Sequence, residues 1–289
     1  MQLAAARTRL IEYVRLTRLD RPIGIYLVLW PMLWALLVAG QGSPDPLVVT
    51  VFLVGVVLMR SAGCAINDFA DRHIDGHVWR TDARPLARKA IHPGEAVGVF
   101  VVLSLISFAL VLTMNWLTIL LSVPGAFLAG SYPFTKRFTH LPQAYLGVAF
   151  GWAVPMSFAA QLGEIPAGAW LFFLTVVFWA LAYDTMYAMA DREDDLKIGV
   201  KSSAILFGRY DRLAVGVFQL LTLATLILAG LTFGLGPLYF AGLAAGTGFF
   251  VYQQYLIRDR EPKRCFQAFL NNHYFGLTVF IGLALDYLL

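Results

Sequence analysis

Charged side chains are scarce in this sequence, and their scarcity excludes most classes of soluble protein. Asp, Glu, Lys and Arg make up 14% of the 289 residues, whereas a soluble domain carries about a quarter. Hydrophobic residues make up 59%, and the mean hydropathy is +0.69. The composition therefore predicts an integral membrane protein. The basic balance follows from membrane topology, so no nucleic-acid partner is expected.

Cysteine is also rare, and common site motifs are missing. Cys64 and Cys265 show no metal-ligand spacing and form no disulfide framework, so both are predicted to be free thiols in helices. The five histidines have no metal-ligand spacing either. No Walker loop, glycine-rich dinucleotide turn or nucleophile elbow occurs. These absences exclude nucleotide-dependent and serine-hydrolase chemistry of the usual kinds.

Long apolar runs fill most of the chain. A helix of about 20 residues crosses the hydrocarbon core of a bilayer, which is roughly 30 Å thick. Nine candidate spans lie near 23–39, 47–66, 96–114, 116–130, 144–162, 167–186, 213–233, 237–256 and 269–289. Lys and Arg gather in alternate connections, which the positive-inside rule assigns to the cytoplasm. We therefore expect an all-α membrane protein with nine spans, a cytoplasmic N-terminus and a periplasmic C-terminus.

The first 21 residues differ from the spans. Arg residues alternate there with apolar ones, without the uninterrupted apolar core of a cleavable signal peptide. This pattern is typical of a basic amphipathic segment that lies on an anionic membrane surface. Residues 1–289 otherwise show no linker or soluble module and are expected to form a single domain.

Two matching acidic motifs end the second and sixth apolar runs. Asp71 and Asp75 follow Asn67, and Asp191 and Asp195 repeat their Asp-Arg-x-x-Asp pattern. If the helix continues through residue 75, the spacing places the first three side chains on one face. Stacked carboxylates repel one another unless a cation lies between them. Oxygen ligands alone indicate a hard cation such as Mg²⁺, which completes its shell with water and substrate phosphates.

Basic residues share the loops that contain these acids. They are Arg72, Arg80, Arg84, Lys136, Arg137, Lys197 and Lys201. Metal-binding acids beside Lys and Arg are typical of a diphosphate site. Asp68, which lies off the predicted helix face, is expected to support the site or to be solvated.

Arg60 lies within a predicted span, where a charged side chain needs an anionic partner. We hypothesise that Arg60 faces the interior and binds either an acidic substrate group or one of the Asp residues. Tyr187 precedes Asp191 by one turn and is predicted to line the apolar part of the site. A metal-diphosphate site beside an apolar interior suits a polyprenyl diphosphate.

The motifs together carry a family resemblance. The pattern Asn-Asp-x-x-Asp-x-x-x-Asp at 67–75, with Asp-x-x-Tyr-Ala-x-x-Asp-x-x-x-Asp at 184–195, resembles the UbiA superfamily of intramembrane prenyltransferases. Segments 20–24, 58–64, 132–137, 141–143 and 197–202 are similar to the 4-hydroxybenzoate polyprenyltransferase branch. These elements extend from the first predicted helix to the seventh.

The resemblance implies a bundle of nine transmembrane helices around a central cavity, with Mg²⁺ as cofactor. It implies transfer of a prenyl chain to the ring carbon ortho to the hydroxyl of 4-hydroxybenzoate, in ubiquinone biosynthesis at a bacterial inner membrane. The active site would face the cytoplasm, and the protein would associate with other quinone-biosynthesis enzymes.

The resemblance also assigns residues to roles. Metal-binding and catalytic roles fall on Asp71, Asp75, Asp191 and Asp195, and a catalytic role falls on Arg137. Substrate-binding roles fall on Asn67, Arg60, Arg72, Lys136, Tyr187, Lys197 and Lys201.

Three other functions stay open at this point. The first is a member of the same superfamily with another acceptor, such as a naphthoate, homogentisate or haem. The second is a cation-coupled secondary transporter, whose repeated acidic motif would lie near the membrane midplane. The third, a purely structural membrane scaffold, gives no reason for two matched acidic motifs.

Overall fold

The computed structural model describes residues 2–77 and 81–289, and every regular element within them is helical. Arg80, predicted among the loop cations, lies outside the described residues. The α-helices are α1 (Gln2–Leu16), α2 (Ile23–Ala39), α3 (Pro46–Asp71), α4 (Pro93–Val111), α5 (Trp116–Ser131), α6 (Pro142–Gly151), α7 (Ala153–Leu162), α8 (Ala169–Ile198), α9 (Ser203–Phe207), α10 (Asp211–Thr232), α11 (Pro237–Leu256) and α12 (Pro262–Leu288). Short 3₁₀ helices occupy Asp75–His77, Tyr132–Arg137, Gly208–Tyr210 and Ile257–Asp259.

Local sequence signals set where several helices begin. Proline occupies the start of α3, α4, α6, α11 and α12, where its missing N–H would have no helical partner anyway. The Asp45 carboxylate accepts a hydrogen bond from the Leu47 amide at 2.7 Å and so caps α3. The Asn115 side chain caps α5 by accepting from the Thr118 amide at 3.0 Å.

Length and composition identify seven membrane-crossing segments among the described residues. They are 46–71, 93–111, 116–137, 142–162, 169–198, 203–232 and 262–288. Helix α2 is apolar but has only 17 residues, and the 20-residue α11 is not among the seven. The prediction of an all-helical membrane protein is confirmed. Nine spans, and the direction in which they run, stay predictions.

Helix α8 is the central element of the bundle, packed against α6, α10 and α12. Its Trp179 is fully buried and donates a hydrogen bond from Nε1 to Asn272 Oδ1 of α12 at 2.9 Å. The Trp179 ring stacks on Trp34 of α2, with 5.7 Å between ring centroids. Trp34 Nε1 in turn donates to the Gly276 carbonyl oxygen at 3.2 Å. These contacts fix three helices around one aromatic pair.

Helices α11 and α12 approach each other closely at two glycines. A Cβ atom placed on Gly282 would lie 2.7 Å from the Gly242 Cα, and a Cβ on Gly242 would lie 2.7 Å from the Gly282 Cα. Small residues at a crossing point allow two helix backbones to meet. Elsewhere in the core, Cys64 and Cys265 are buried free thiols, as predicted.

Replacing Gly282 with Leu should separate α11 from α12, because the added side chain has no space at the crossing. Overpacking of this kind costs about 1–3 kcal/mol. The midpoint of denaturant-induced unfolding in mixed micelles measures the change. Gly248→Leu, on the partner helix α11, is the control, since nothing lies within 4 Å of a Cβ atom at Gly248. Equal stability of the two variants would contradict the packing described.

Candidate functional site

A cavity of about 1030 Å³ lies inside the bundle and has two chemically different ends. Carboxylates, amides and cations surround one end, where α3 and α8 finish. Apolar side chains from α3, α4 and α7, including Phe52, Phe108 and Met156, line the other end. The arrangement suits a molecule with an anionic head and a hydrocarbon tail.

Nine of the predicted site residues line this cavity. They are Arg60, Asn67, Asp71, Asp75, Lys136, Tyr187, Asp191, Asp195 and Lys201. Helix α8 continues to Ile198, well beyond the predicted span, so Tyr187, Asp191 and Asp195 follow one another at one-turn intervals on it.

The first acidic motif differs from the prediction in its backbone. Helix α3 ends at Asp71, so the expectation that Asp75 continues its helical face is wrong. Asp75 begins a 3₁₀ turn instead, and Arg84 Nη1 donates to its two carboxylate oxygens at 3.0 and 2.9 Å. The Thr81 hydroxyl donates to the Asp75 carbonyl oxygen at 2.8 Å. These contacts with the following loop replace those that a continued helix would have made.

Asp71 is held by a cation but keeps one oxygen free. Lys136 Nζ lies 2.5 Å from Asp71 Oδ2. Asp71 Oδ1 is buried and has no hydrogen-bond partner among the described residues. An unsatisfied buried carboxylate oxygen is costly, and a bound cation would satisfy it.

The sequence did not indicate how deeply Asp68 is buried or which arginines it contacts. Its side chain is fully buried, with Arg18 Nη2 at 2.6 Å and Arg84 Nη1 at 3.3 Å from Oδ1. The second oxygen, Oδ2, is buried without a hydrogen-bond partner in the described part of the chain. The arginine contacts come from residues 50 and 16 positions away, which sequence spacing does not reveal. The only sequence signal was the position of Asp68 within the motif itself.

The charges at this end alter the titration of Asp75. Burial raises the pKa of Asp75 to about 6, Arg84 opposes that rise, and the neighbouring Asp71 and Asp68 add to it. Burial lowers the pKa of Arg84, but Asp68 and Asp75 outweigh this and raise the pKa overall. Arg84 therefore remains a cation between two carboxylates.

The donor set fits Mg²⁺ only in a shared site. Among residues 2–77 and 81–289, no group of three or more His, Cys, Asp or Glu side chains is placed to hold a metal ion by itself. Mg²⁺ commonly binds one or two carboxylates together with waters and substrate phosphates. The free Asp71 oxygen and the carboxylates of α8 suit that mode, in which the phosphate ligand completes the coordination.

Three predicted cations do not line the cavity. Arg72 donates to the Phe69 carbonyl oxygen at 2.7 Å, and Arg137 donates to the Ala70 carbonyl oxygen at 2.7 Å. Both thus satisfy the carbonyls left unpaired at the end of α3. Lys197 pairs with Asp194 at 3.2 Å, and its side chain is 70% exposed. The catalytic role assigned to Arg137 and the substrate-binding roles assigned to Arg72 and Lys197 stay predictions.

Arg60 faces the cavity from within α3, as hypothesised. Its Nη1 lies 2.9 Å from Cys64 Sγ, and its guanidinium lies over the Phe150 ring at 5.5 Å. The Nε atom is buried without a hydrogen-bond partner, and Arg60 makes no ion pair with any described residue. A Cβ atom on Gly24 would lie 2.4 Å from this Nε, so only glycine leaves the guanidinium its place.

Comparison with known proteins places the chain in a family. Residues 28–279 match the UbiA prenyltransferase family. The chain is 63% identical over 284 residues to a 4-hydroxybenzoate octaprenyltransferase of Methylococcus capsulatus, covering 98% of this chain and 97% of the relative. It is 57% identical over 280 residues to a protein of the same name from Alkalilimnicola ehrlichii, covering 97% of this chain and 96% of the relative.

Solved structures show the same fold. A UbiA homologue from Aeropyrum pernix K1 superimposes with a TM-score of 0.80 at 26% identity, covering 90% of this chain and 97% of the other. A UbiA homologue from Archaeoglobus fulgidus bound to GPP and Mg²⁺ has a TM-score of 0.72 at 17% identity, with coverage of 93% and 99%. By sequence and by fold, the chain belongs to the UbiA prenyltransferase family.

Proposed function

We propose that this protein transfers a polyprenyl chain from polyprenyl diphosphate to 4-hydroxybenzoate, at the ring carbon ortho to the hydroxyl, in ubiquinone biosynthesis. The observation that carries the proposal is the two-ended cavity: a charged end of acids and cations continues into an apolar interior. High identity to two 4-hydroxybenzoate octaprenyltransferases over nearly the whole chain supports the same acceptor, and their name suggests an octaprenyl donor.

The charged end would bind the diphosphate of the donor. Lys136 and Lys201 line it and can donate to phosphate oxygens. Mg²⁺ would be held by Asp71, Asp75, Asp191 and Asp195, with the Asn67 amide oxygen assisting. When bound, the metal would neutralise charge on the leaving diphosphate. Lys136, which already neutralises Asp71, is placed to hold the diphosphate next to these acids.

The acceptor is expected to lie deeper, with its carboxylate on Arg60. A guanidinium inside a membrane protein without an ion pair needs an anion, and 4-hydroxybenzoate carries one opposite its hydroxyl. A carboxylate bound on the cavity side of the guanidinium would supply the missing counter-charge. The acceptor ring would then lie between Arg60 and the charged end, beside the allylic carbon of the donor.

The apolar walls protect the bond-making step. As the allylic C–O bond breaks, its electron pair leaves with the diphosphate, and a carbocation develops on the prenyl carbon. Tyr187 and Phe269 line the cavity, with ring centroids 4.9 Å apart, and aromatic faces stabilise a nearby cation. Exclusion of water prevents its capture. The ring carbon forms the new C–C bond and its proton passes to a carboxylate or to the diphosphate.

The membrane arrangement is part of the proposal. With α2 and α11 as additional spans, the chain crosses the bilayer nine times, from a cytoplasmic N-terminus to a periplasmic C-terminus. The concentration of Lys and Arg on the side of the acidic motifs supports a cytoplasmic active site in a bacterial inner membrane. Residues 1–21 would lie along that surface, since Arg18 of this segment contacts Asp68 at the cavity mouth. The chain would act as one membrane domain.

Asp191→Asn should lower prenyl transfer by at least about 100-fold, because the variant loses a charged metal ligand at the diphosphate. Incorporation of labelled 4-hydroxybenzoate into lipid, in membranes supplied with Mg²⁺, measures the rate. Asp194→Asn is the matched control on the same helix, since Asp194 pairs with Lys197 and does not line the cavity. Near-normal activity of a folded Asp191→Asn protein would contradict the metal assignment.

Arg60→Gln should raise the KM for 4-hydroxybenzoate by roughly 10- to 100-fold, the loss expected for a hydrogen bond between charged groups. The KM for the prenyl diphosphate should change little. For an acceptor that carries a carboxamide in place of the carboxylate, the KM values of the wild type and the variant should differ far less. If Arg60→Gln raises the KM for the prenyl diphosphate and leaves the KM for 4-hydroxybenzoate unchanged, Arg60 does not bind the acceptor carboxylate.

A further inference from the structure

A second cavity lies on the outside of the bundle, between α10 and α11. Its volume is about 660 Å³, and it shares no lining residue with the cavity described above. Leu213, Val217 and Leu220 of α10 form one wall, and Phe250 and Val251 of α11 form the other. We call it the α10–α11 groove.

The length of the groove along the helices matches the thickness of one membrane leaflet. Its wall on α10 extends from Leu213 to Leu223, and ten helical residues rise about 15 Å. That is half of the roughly 30 Å hydrocarbon core. Gly216 lies on this wall and leaves room between the helices. An acyl chain from a single leaflet therefore matches the groove in length and polarity.

The mouth of the groove carries excess positive charge. Arg209, Arg212 and Arg260 line it. Arg260 pairs with the buried Asp211 at 2.7 Å. Arg209 and Arg212 make no ion pair with any residue in the described ranges. Asp259, whose charge also reaches Arg212, makes its own ion pairs with other arginines.

The side chain of Arg212 is held in place by one hydrogen bond, but another of its N–H donors has no acceptor in the described part of the chain. Its Nη1 donates to the Arg258 carbonyl oxygen at 3.0 Å, which fixes the side chain at the groove mouth. Its Nε is buried and has no hydrogen-bond partner among the described residues. A buried donor on a cation is costly unless an acceptor reaches it. A phosphate seated at the top of the groove would supply the counter-charge that this guanidinium lacks within the described ranges.

The mouth opens on the same side of the bundle as the acidic motifs. Asp211, at the start of α10, forms an ion pair with Arg192 of α8 at 3.1 Å. Arg192 directly follows Asp191 in the sequence. The groove is thus reached from the leaflet at which the charged end of the inner cavity lies.

We propose that the α10–α11 groove binds an anionic glycerophospholipid of that leaflet. The lipid phosphate accepts hydrogen bonds from Arg212 and Arg209, and one acyl chain lies between α10 and α11. Basic pockets between transmembrane helices bind anionic headgroups in this way. A zwitterionic lipid binds more weakly, because its ammonium group meets the same arginines. The proposal is independent of the reaction at the inner cavity.

Native mass spectrometry of the full-length protein, released from detergent with added lipid, tests the proposal. Phosphatidylglycerol and phosphatidylcholine with identical acyl chains are compared by the fraction of protein that retains one lipid. The wild type should prefer phosphatidylglycerol. Arg209→Gln/Arg212→Gln should reduce that preference towards parity, since a basic residue near an anionic surface contributes about a fivefold change in affinity.

A second variant tests the groove rather than the charge. Gly216→Leu fills the groove and keeps both arginines, and a Cβ atom there would lie at an ordinary 3.5 Å from Gln254 Nε2. It should reduce retention of phosphatidylglycerol, whereas Gly248→Leu on α11 should not. Lys263→Gln, an exposed cation outside the groove, is the control for loss of charge.

Three outcomes would overturn the proposal. The first is equal retention of the two lipids by the wild type. The second is a phosphatidylglycerol preference that Gly216→Leu leaves intact, which would indicate diffuse surface attraction. The third is a dimer that excludes lipid from the groove. If the double variant does not fold, the exposed Arg209→Gln alone should lower the preference, and an unchanged preference would contradict the assignment.

Discussion

The structure depends on the cost of placing carboxylates at the edge of a membrane interior. A buried charge is tolerated only with a counter-charge and hydrogen bonds. Asp68, fully buried, meets Arg18 and Arg84, and Asp71 meets Lys136. The three cations come from three separate stretches of chain: the segment after α1, the loop before α4 and the turn after α5. Ion pairing, together with a buried apolar cluster that includes Leu16, Ala65 and Leu86, therefore holds these stretches at the end of α3.

Helix α8 connects this charged end to the aromatic core. Its middle holds Trp179, which fixes α2 and α12, and its last turns carry Asp191 and Asp195. A helix so anchored presents its carboxylates at a set distance from α3. One rigid helix thus links the packing of the bundle to the geometry of the site. Packing leaves several polar atoms unsatisfied, and two of them, a donor of Arg60 and an oxygen of Asp71, belong to residues that line the cavity.

Apolar periodicity and charge placement were enough to predict the helical membrane fold and the residues that gather at the cavity. They did not reveal that α3 stops at Asp71, because Arg84 and Thr81 reach Asp75 from the next loop. Spacing along the chain also missed Arg18, which meets Asp68 only in the folded protein. The contact of Arg137 with the Ala70 carbonyl oxygen at the end of α3 was likewise not indicated by the sequence, and its catalytic role stays a prediction. Long-range polar contacts were therefore the part that local sequence patterns could not specify.

The most direct test of the account is prenyl transfer by the wild-type protein in membranes. Labelled 4-hydroxybenzoate and octaprenyl diphosphate would be supplied, with Mg²⁺ or with a chelator. We expect labelled prenylated lipid and released diphosphate in equal amounts, only when Mg²⁺ is present. Product formation that persists after chelation would contradict a metal held between the two acidic motifs. Diphosphate release with another aromatic, but none with 4-hydroxybenzoate, would contradict the proposed acceptor.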